Sequence, residues 1–168
     1  MNDTMNLNLS AAVTSTERLL SSGATTTASL VAPRKIEFRI PGKVIGKGRP
    51  HFVKKTGVAI TPQQTRSYES LIRDVVLPLM AGQKPWEGCV KAHVVAYYKV
   101  PKSWSKKDKE LAVAQMIPPG KPDADNVIKI LFDSLNRFLY HDDKQICDCR
   151  ILKLWSEEDG LYVCMEEM

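Results

Sequence analysis

Between Lys121 and Gln145 the sequence runs KPDADNVIKILFDSLNRFLYHDDKQ and holds five of the chain's nineteen carboxylates, although the net charge is +5. Asp123 and Asp125 form an Asp-x-Asp, Lys129 follows Asp125 by four residues, Asp133 comes four later, and Asp142 and Asp143 are adjacent. Adjacent carboxylates repel, so such a grouping suggests that something positive sits among them. Hard cations such as Mg2+ take oxygen ligands in octahedral array, typically a few carboxylates completed by water and substrate phosphates. Three carboxylates on two converging loops can supply that set, and a metal held there would activate water for attack on a phosphodiester. Lys129 could orient that water or neutralise charge building on the phosphate.

The elements that must position these groups can be read around them. Asp125 to Leu139 has helical periodicity, with Val127, Ile128, Leu131, Leu135, Phe138 and Leu139 on an apolar face. Asp125, Lys129, Asp133 and Asn136 fall on the opposite side. A plainer reading stands beside the chemical one: Asp123 or Asp125 caps the helix, and Asp125–Lys129–Asp133 is a salt-bridge ladder. Tyr140-His141-Asp142-Asp143 then leads into a strand, which can bring either aspartate beside a neighbouring element.

Upstream, KIEFRI alternates as a half-buried strand does and ends at Pro41-Gly42. A Gly-rich basic segment follows, with a short strand at Val58–Ile60. Thr61 or Thr65 starts a helix in which Tyr68, Leu71, Ile72, Val75 and Leu79 recur at helical spacing. CVKAHVVAYYKV reads as a strand, and Ser105 as the cap of a helix with basic residues in its first turn. QICDCRILKLW and LYVCMEE read as strands joined at SEEDG. The expected class is α+β: a mixed β-sheet with helices packed on it and a terminal β-hairpin. Residues 1–34 read as a flexible Ser/Thr/Ala-rich leader without the plan of a secretory signal, and 35–168 as the folded domain.

Residues 34–121 hold 18 Lys and Arg against 6 Asp and Glu, whereas residues 122–168 hold 5 against 11. A basic surface around an acidic centre suits a polyanion gripped by cations while carboxylates hold a metal. The candidate DNA contacts are Lys47, Arg49, Lys54 and Lys55 on the Gly-rich loop, with Phe52 a potential wedge, and a second run at Lys102, Lys106, Lys107 and Lys109. The loop lacks the Walker A arrangement. His51, His93 and His141 form no ligand set by spacing, and no Ser-His-Asp or Cys-His arrangement points to a covalent nucleophile. The four cysteines have no zinc spacing and read as reduced, mostly buried thiols of a cytosolic protein. No apolar run of eighteen residues exists, so no membrane helix is expected.

In this order and spacing, PKSW, KPDADNVIK, FDSLN and YHDDKQI resemble the RusA family of Holliday junction resolvases. IPGKVIGKGRPHF and the region up to SYESL resemble that family's first strand, basic loop and first helix, so the likeness covers about residues 36–165. It implies a small homodimeric, Mg2+-dependent endonuclease (Mn2+ as a substitute) that cuts four-way DNA junctions by paired symmetric nicks. It also implies a place in recombination and repair, in the cytoplasm of a bacterial or phage-infected cell, with prophages a common source and no small-molecule cofactor. Carried over by motif, the catalytic carboxylates fall on Asp123, Asp125 and Asp143 and the lysine on Lys129. Asp142 stands beside Asp143 as the other candidate ligand, and Asp133 takes a structural or outer role. Arg137 departs from the glycine usual in such sequences after Leu-Asn. The competing functions are a non-catalytic junction-DNA-binding protein and a general nuclease for flap or branched DNA.

Overall fold

The computed structural model describes residues 33–53 and 57–168, so the leader up to residue 32 lies outside the described residues. The elements in chain order are β1 (Lys35–Pro41), β2 (His51–Val53), β3 (Val58–Ile60), α1 (Gln63–Met80), β4 (Val90–Lys99), α2 (Lys106–Val113), α3 (Ala124–Leu135), β5 (Ile146–Ser156) and β6 (Gly160–Glu167). A short 3-10 turn, Asp143–Gln145, precedes β5.

The class is α+β, and the sheet is mixed, with strand order β1-β6-β4-β5. β6 runs antiparallel to both β1 and β4, while β4 and β5 are parallel. The expected terminal hairpin is corrected by this order, because β4 lies between β5 and β6. SEEDG straddles the end of β4: Lys99 N donates to Asp159 Oδ1 at 2.9 Å and Val100 N to Ser156 O at 3.1 Å. The physical reason lies in β4 itself. Val94, Val95 and Ala96 are all buried, so both faces are covered, and a strand of that kind belongs inside a sheet.

One face of the sheet carries the core. Ile36, Phe38 and Ile40 of β1 alternate with exposed residues and pack with Leu161, Val163 and Met165 of β6 in a single buried cluster. The helices α1 and α3 cover that face. On α1 the buried stripe is Thr65, Tyr68, Ile72, Val76 and Met80, so Leu71 and Leu79 of the expected face point outward. On α3 it is Val127, Ile130, Leu131, Ser134 and Leu135, with Ile130 taking the place expected for Ile128.

The cysteines also differ from expectation. All four are free, but Cys89, Cys147 and Cys149 are exposed. Two of these lie at the start of β5, an edge strand whose residues 147–150 are all exposed. Arg34, assigned to the leader, is fastened to the fold through its Nε, 2.6 Å from Glu167 Oε2. The bond from Arg34 is the main reason that the Glu167 carboxyl titrates at about 2. Its other oxygen accepts from Glu87 N and Gly88 N, which fixes the entrance to β4. Among the described residues no helix is long and apolar enough to cross a membrane.

Helix α3 stops at Leu135, earlier than its apolar periodicity suggests. Asn136 is the C-cap and Arg137 follows with φ 61°. This left-handed residue is the usual way to end a helix, and it is cheap for glycine but strained for a residue with a Cβ. The glycine that the resemblance would put here thus has a conformational reason. Arg137→Gly is expected to stabilise the fold by about 1 kcal/mol, whereas Arg137→Ala keeps the strain and brings no such gain. Urea denaturation of the three proteins side by side checks this.

Candidate active site

Asp123 is the N-cap residue of α3, yet its side chain makes no capping hydrogen bond. Asp125 lies in the first turn, where Asn126 Nδ2 donates to it at a long 3.4 Å. Lys129, one turn further, is exposed and pairs with no carboxylate among the described residues. The salt-bridge ladder is therefore not formed. Asp133 is instead claimed by Lys47, whose ammonium stands 2.6 Å from Asp133 Oδ2 and 2.7 Å from Glu69 Oε1. Burial works against the Lys47 charge, but the two acidic partners more than offset it and raise its pKa.

The second acidic pair divides its labour. Asp142 caps the 3-10 turn, its Oδ1 accepting from Lys144 N at 3.0 Å. That bond holds its carboxyl below the usual range, with the nearby charges of Lys144 and Arg137 adding to the effect. Asp143 is exposed, and no backbone N–H among the described residues donates to its carboxylate. Gln145 organises the turn, and sequence reasoning gave it no role. Its Oε1 accepts from His141 N at 2.8 Å and Asp142 N at 3.0 Å, and its Nε2 donates to Trp86 O and Gly88 O, both at 2.9 Å. The signal was present: an acidic cap followed three residues later by Gln is a capping box.

These two acidic groups occupy opposite ends of α3. Asp123 lies towards the end of β4, where burial first, then the charges of Asp159 and Asp123, push Tyr98 up to about 12. The loop before it is tied to the end of β5, with Trp155 Nε1 donating to Ile117 O and Lys153 Nζ to Pro119 O. The turn bearing Asp142 and Asp143 is bound through Gln145 to residues 86–88, which lead into β4. The 12 residues of α3 span about 18 Å. Among the described residues no three His, Cys, Asp or Glu side chains converge on one cation position.

The basic candidates fare unequally. Lys47 spends its charge within the fold, while Arg49, Lys102, Lys106 and Lys107 are exposed and have no ion pair among the described residues. Lys54 and Lys55 lie outside the described residues. Ser105 caps α2 as expected, accepting from Asp108 N, so Lys106 and Lys107 open that helix. Lys109 donates to Lys102 O at 2.8 Å. β2 and β3 pair into a small antiparallel ribbon, on which Phe52 is 75% exposed. Trp104 packs edge-on against Trp155 with ring centroids 5.0 Å apart, a packing anchor rather than a free stacking platform.

The donor set suits a hard cation. Asp123, Asp125 and Asp143 offer exposed carboxylate oxygens that the fold does not use as caps. Two comparisons relate the chain to known sequences. A family model described as endodeoxyribonuclease RusA matches residues 41–166. A Bacillus subtilis (strain 168) protein described as uncharacterized protein YqaN is 32% identical over 142 residues, covering 79% of this chain and 96% of its own length.

Gln145→Leu removes the four side-chain bonds by which Gln145 ties the turn to itself and to residues 86 and 88. It is expected to cost about 2 kcal/mol of stability and to lower DNA cleavage tenfold or more, with DNA affinity nearly unchanged. Urea melts, cleavage rates and gel-shift titrations of the same preparation check it. Full cleavage by the folded fraction would contradict the positioning role.

Proposed function

The chain belongs to the RusA endodeoxyribonuclease family, and from that premise we propose that it is a Mg2+-dependent endonuclease that resolves four-way DNA junctions by paired symmetric nicks during recombination and repair. The observation that carries this reading is the unspent state of the acidic motifs. Asp123, Asp125 and Lys129 stand exposed on the open end and outer face of α3 with no ion pair among the described residues, where a merely structural set would be capped or paired. A protein that only binds DNA gains nothing from carboxylates directed at phosphates.

Asp123, Asp125 and Asp143 are the residues that would hold Mg2+, or Mn2+ in its place, with Asp142 committed to shaping the turn that presents Asp143. A divalent ion there would supply charge neutralisation at the phosphate and a water of lowered pKa. Lys129 brings its ammonium to the non-bridging phosphate oxygens, where charge grows during in-line displacement. Arg49, Lys54, Lys55, Lys102, Lys106 and Lys107 contact the phosphates of the junction arms, positioning the DNA without reading it. Lys47 serves the fold instead. Phe52, unsupported by packing, is placed to wedge between bases at the junction centre.

The geometry gives homodimerisation a chemical reason. Oxygens on one Mg2+ lie within roughly 4 Å of each other, since each bond is about 2.1 Å. Among the described residues the two acidic groups of one protomer converge on no common cation position, so a cation shared between them needs one group from each of two protomers. A two-fold dimer builds two such sites, matching two related cuts across a two-fold junction. The enzyme would work in the cytoplasm of a bacterial or phage-infected cell.

The test uses a synthetic four-way junction, a flap and a linear duplex, each with Mg2+ or with EDTA. Paired nicks in the junction alone, abolished by EDTA, are expected. Asp125→Asn should lower cleavage at least a thousandfold and keep or tighten junction binding, as repulsion of phosphate falls. Equal cutting of all three DNAs would point to a general nuclease, and binding without cutting to a junction binder.

A further inference from the structure

Beside Asp123 the structure holds an open surface pocket of about 390 Å3, within the range of small-molecule sites. Its walls come from three places: the loop Lys43–Lys47, the first turn of α1 at Gln64, and the segment Lys121–Asn126. These walls are tied together. Lys47 N donates to Asn126 O at 2.9 Å, and Gly48 N donates to Thr65 Oγ1 at 3.2 Å. Gly46 lies so close to the third wall that a Cβ there would stand 2.6 Å from Pro122 Cβ. The Lys47 ammonium, held by Glu69 and Asp133, links the loop to α1 and α3.

The lining has three chemical parts. Lys43 and Lys121 are exposed cations with no ion pair among the described residues. Gln64 and Asn126 each bring a side-chain amide, a donor and an acceptor side by side. Ile45 and Pro122 add apolar surface. An anion, a planar group with a donor–acceptor edge, and apolar faces together describe a nucleotide. Amide side chains are the groups that pair with base edges, and rigid walls are what discrimination requires. An open pocket of this size has room along its walls for one base with its phosphate, and a single unstacked nucleotide of that kind is available at a strand exchange point.

We propose that this cavity receives the nucleotide next to the scissile phosphodiester, that Gln64 and Asn126 read its base, and that Lys43 and Lys121 hold its phosphate. Gln64 and Asn126 thereby set which sequences are cut. This rests on the junction-endonuclease reading, and the experiment separates the two. Junctions that differ only in the base on either side of the cut are cleaved in parallel by the wild type, Gln64→Ala and Lys43→Ala. The wild type is expected to favour its best base over its worst by about tenfold to a hundredfold. Gln64→Ala brings that ratio down towards one, while Lys43→Ala slows all sequences alike and keeps the ratio. A wild type that cuts junctions without base preference, or a Gln64→Ala ratio equal to the wild type's, overturns the proposal and leaves the endonuclease reading intact. If the wild type cuts no DNA, that reading fails, and crosslinking still decides the cavity. Junctions carrying 5-iodouracil beside the exchange point are irradiated with Asp125→Asn protein. Adducts within residues 43–47, 64 or 121–126 support the cavity's role, and adducts only elsewhere overturn it.

Discussion

The parallel pairing of β4 with β5 constrains everything else in this fold. Two parallel neighbours cannot be joined by a tight turn; the chain must cross from the end of one to the start of the other. Residues 100–145 make that crossing, and they contain α2, α3 and both acidic groups. The chain leaves the end of β4, runs out through α2, and returns along α3 to the start of β5. Asp123 and Asp125 fall where α3 begins and Asp142 and Asp143 just after it ends, so the separation of the carboxylates follows from the topology. What the local sequence adds is the means of holding each group open: an N-terminus without a side-chain cap, and a turn whose capping is done by Asp142 and Gln145.

Lys47 connects this crossover to the rest of the molecule. A half-buried ammonium between Glu69 and Asp133 fixes the basic loop against α1 and α3 at once, and the backbone bond from Lys47 to Asn126 sets the loop beside Asp123. A lysine spent in this way adds nothing to the free positive surface. It also draws Asp133 away from Lys129. One half-buried pairing thus shapes the pocket and leaves the Lys129 ammonium without a carboxylate partner among the described residues.

Much of this was legible in the residues. The alternation of KIEFRI, the Ser105 cap and the order of the acidic motifs gave β1, α2 and the two candidate carboxylate groups. What stayed hidden depends on contacts distant in sequence. SEEDG is a turn, but nothing within it says that β4 lies between the strands it joins. The hydrophobic period of α3 runs on through Leu139 because Leu139 is buried too, in a turn beyond the helix end. The exposure of Cys147 and Cys149 follows from β5 being an edge strand, which strand order decides and local sequence does not. Lys47 reads as one more cation of a basic loop until Glu69 and Asp133 are seen around it.

We propose that carboxylates from opposite ends of α3, in different protomers, serve one site. Mixing two inactive proteins tests it most directly. Asp125→Asn and Asp143→Asn are purified separately, assayed alone, then mixed under conditions that exchange subunits, with mixed dimers verified by native mass spectrometry. If the site is shared, each mixed dimer regains one intact site, and random exchange restores junction nicking to about a quarter of the wild-type rate, as single rather than paired cuts. A mixture in which mixed dimers are abundant but nicking stays at the level of the separate variants would contradict the account.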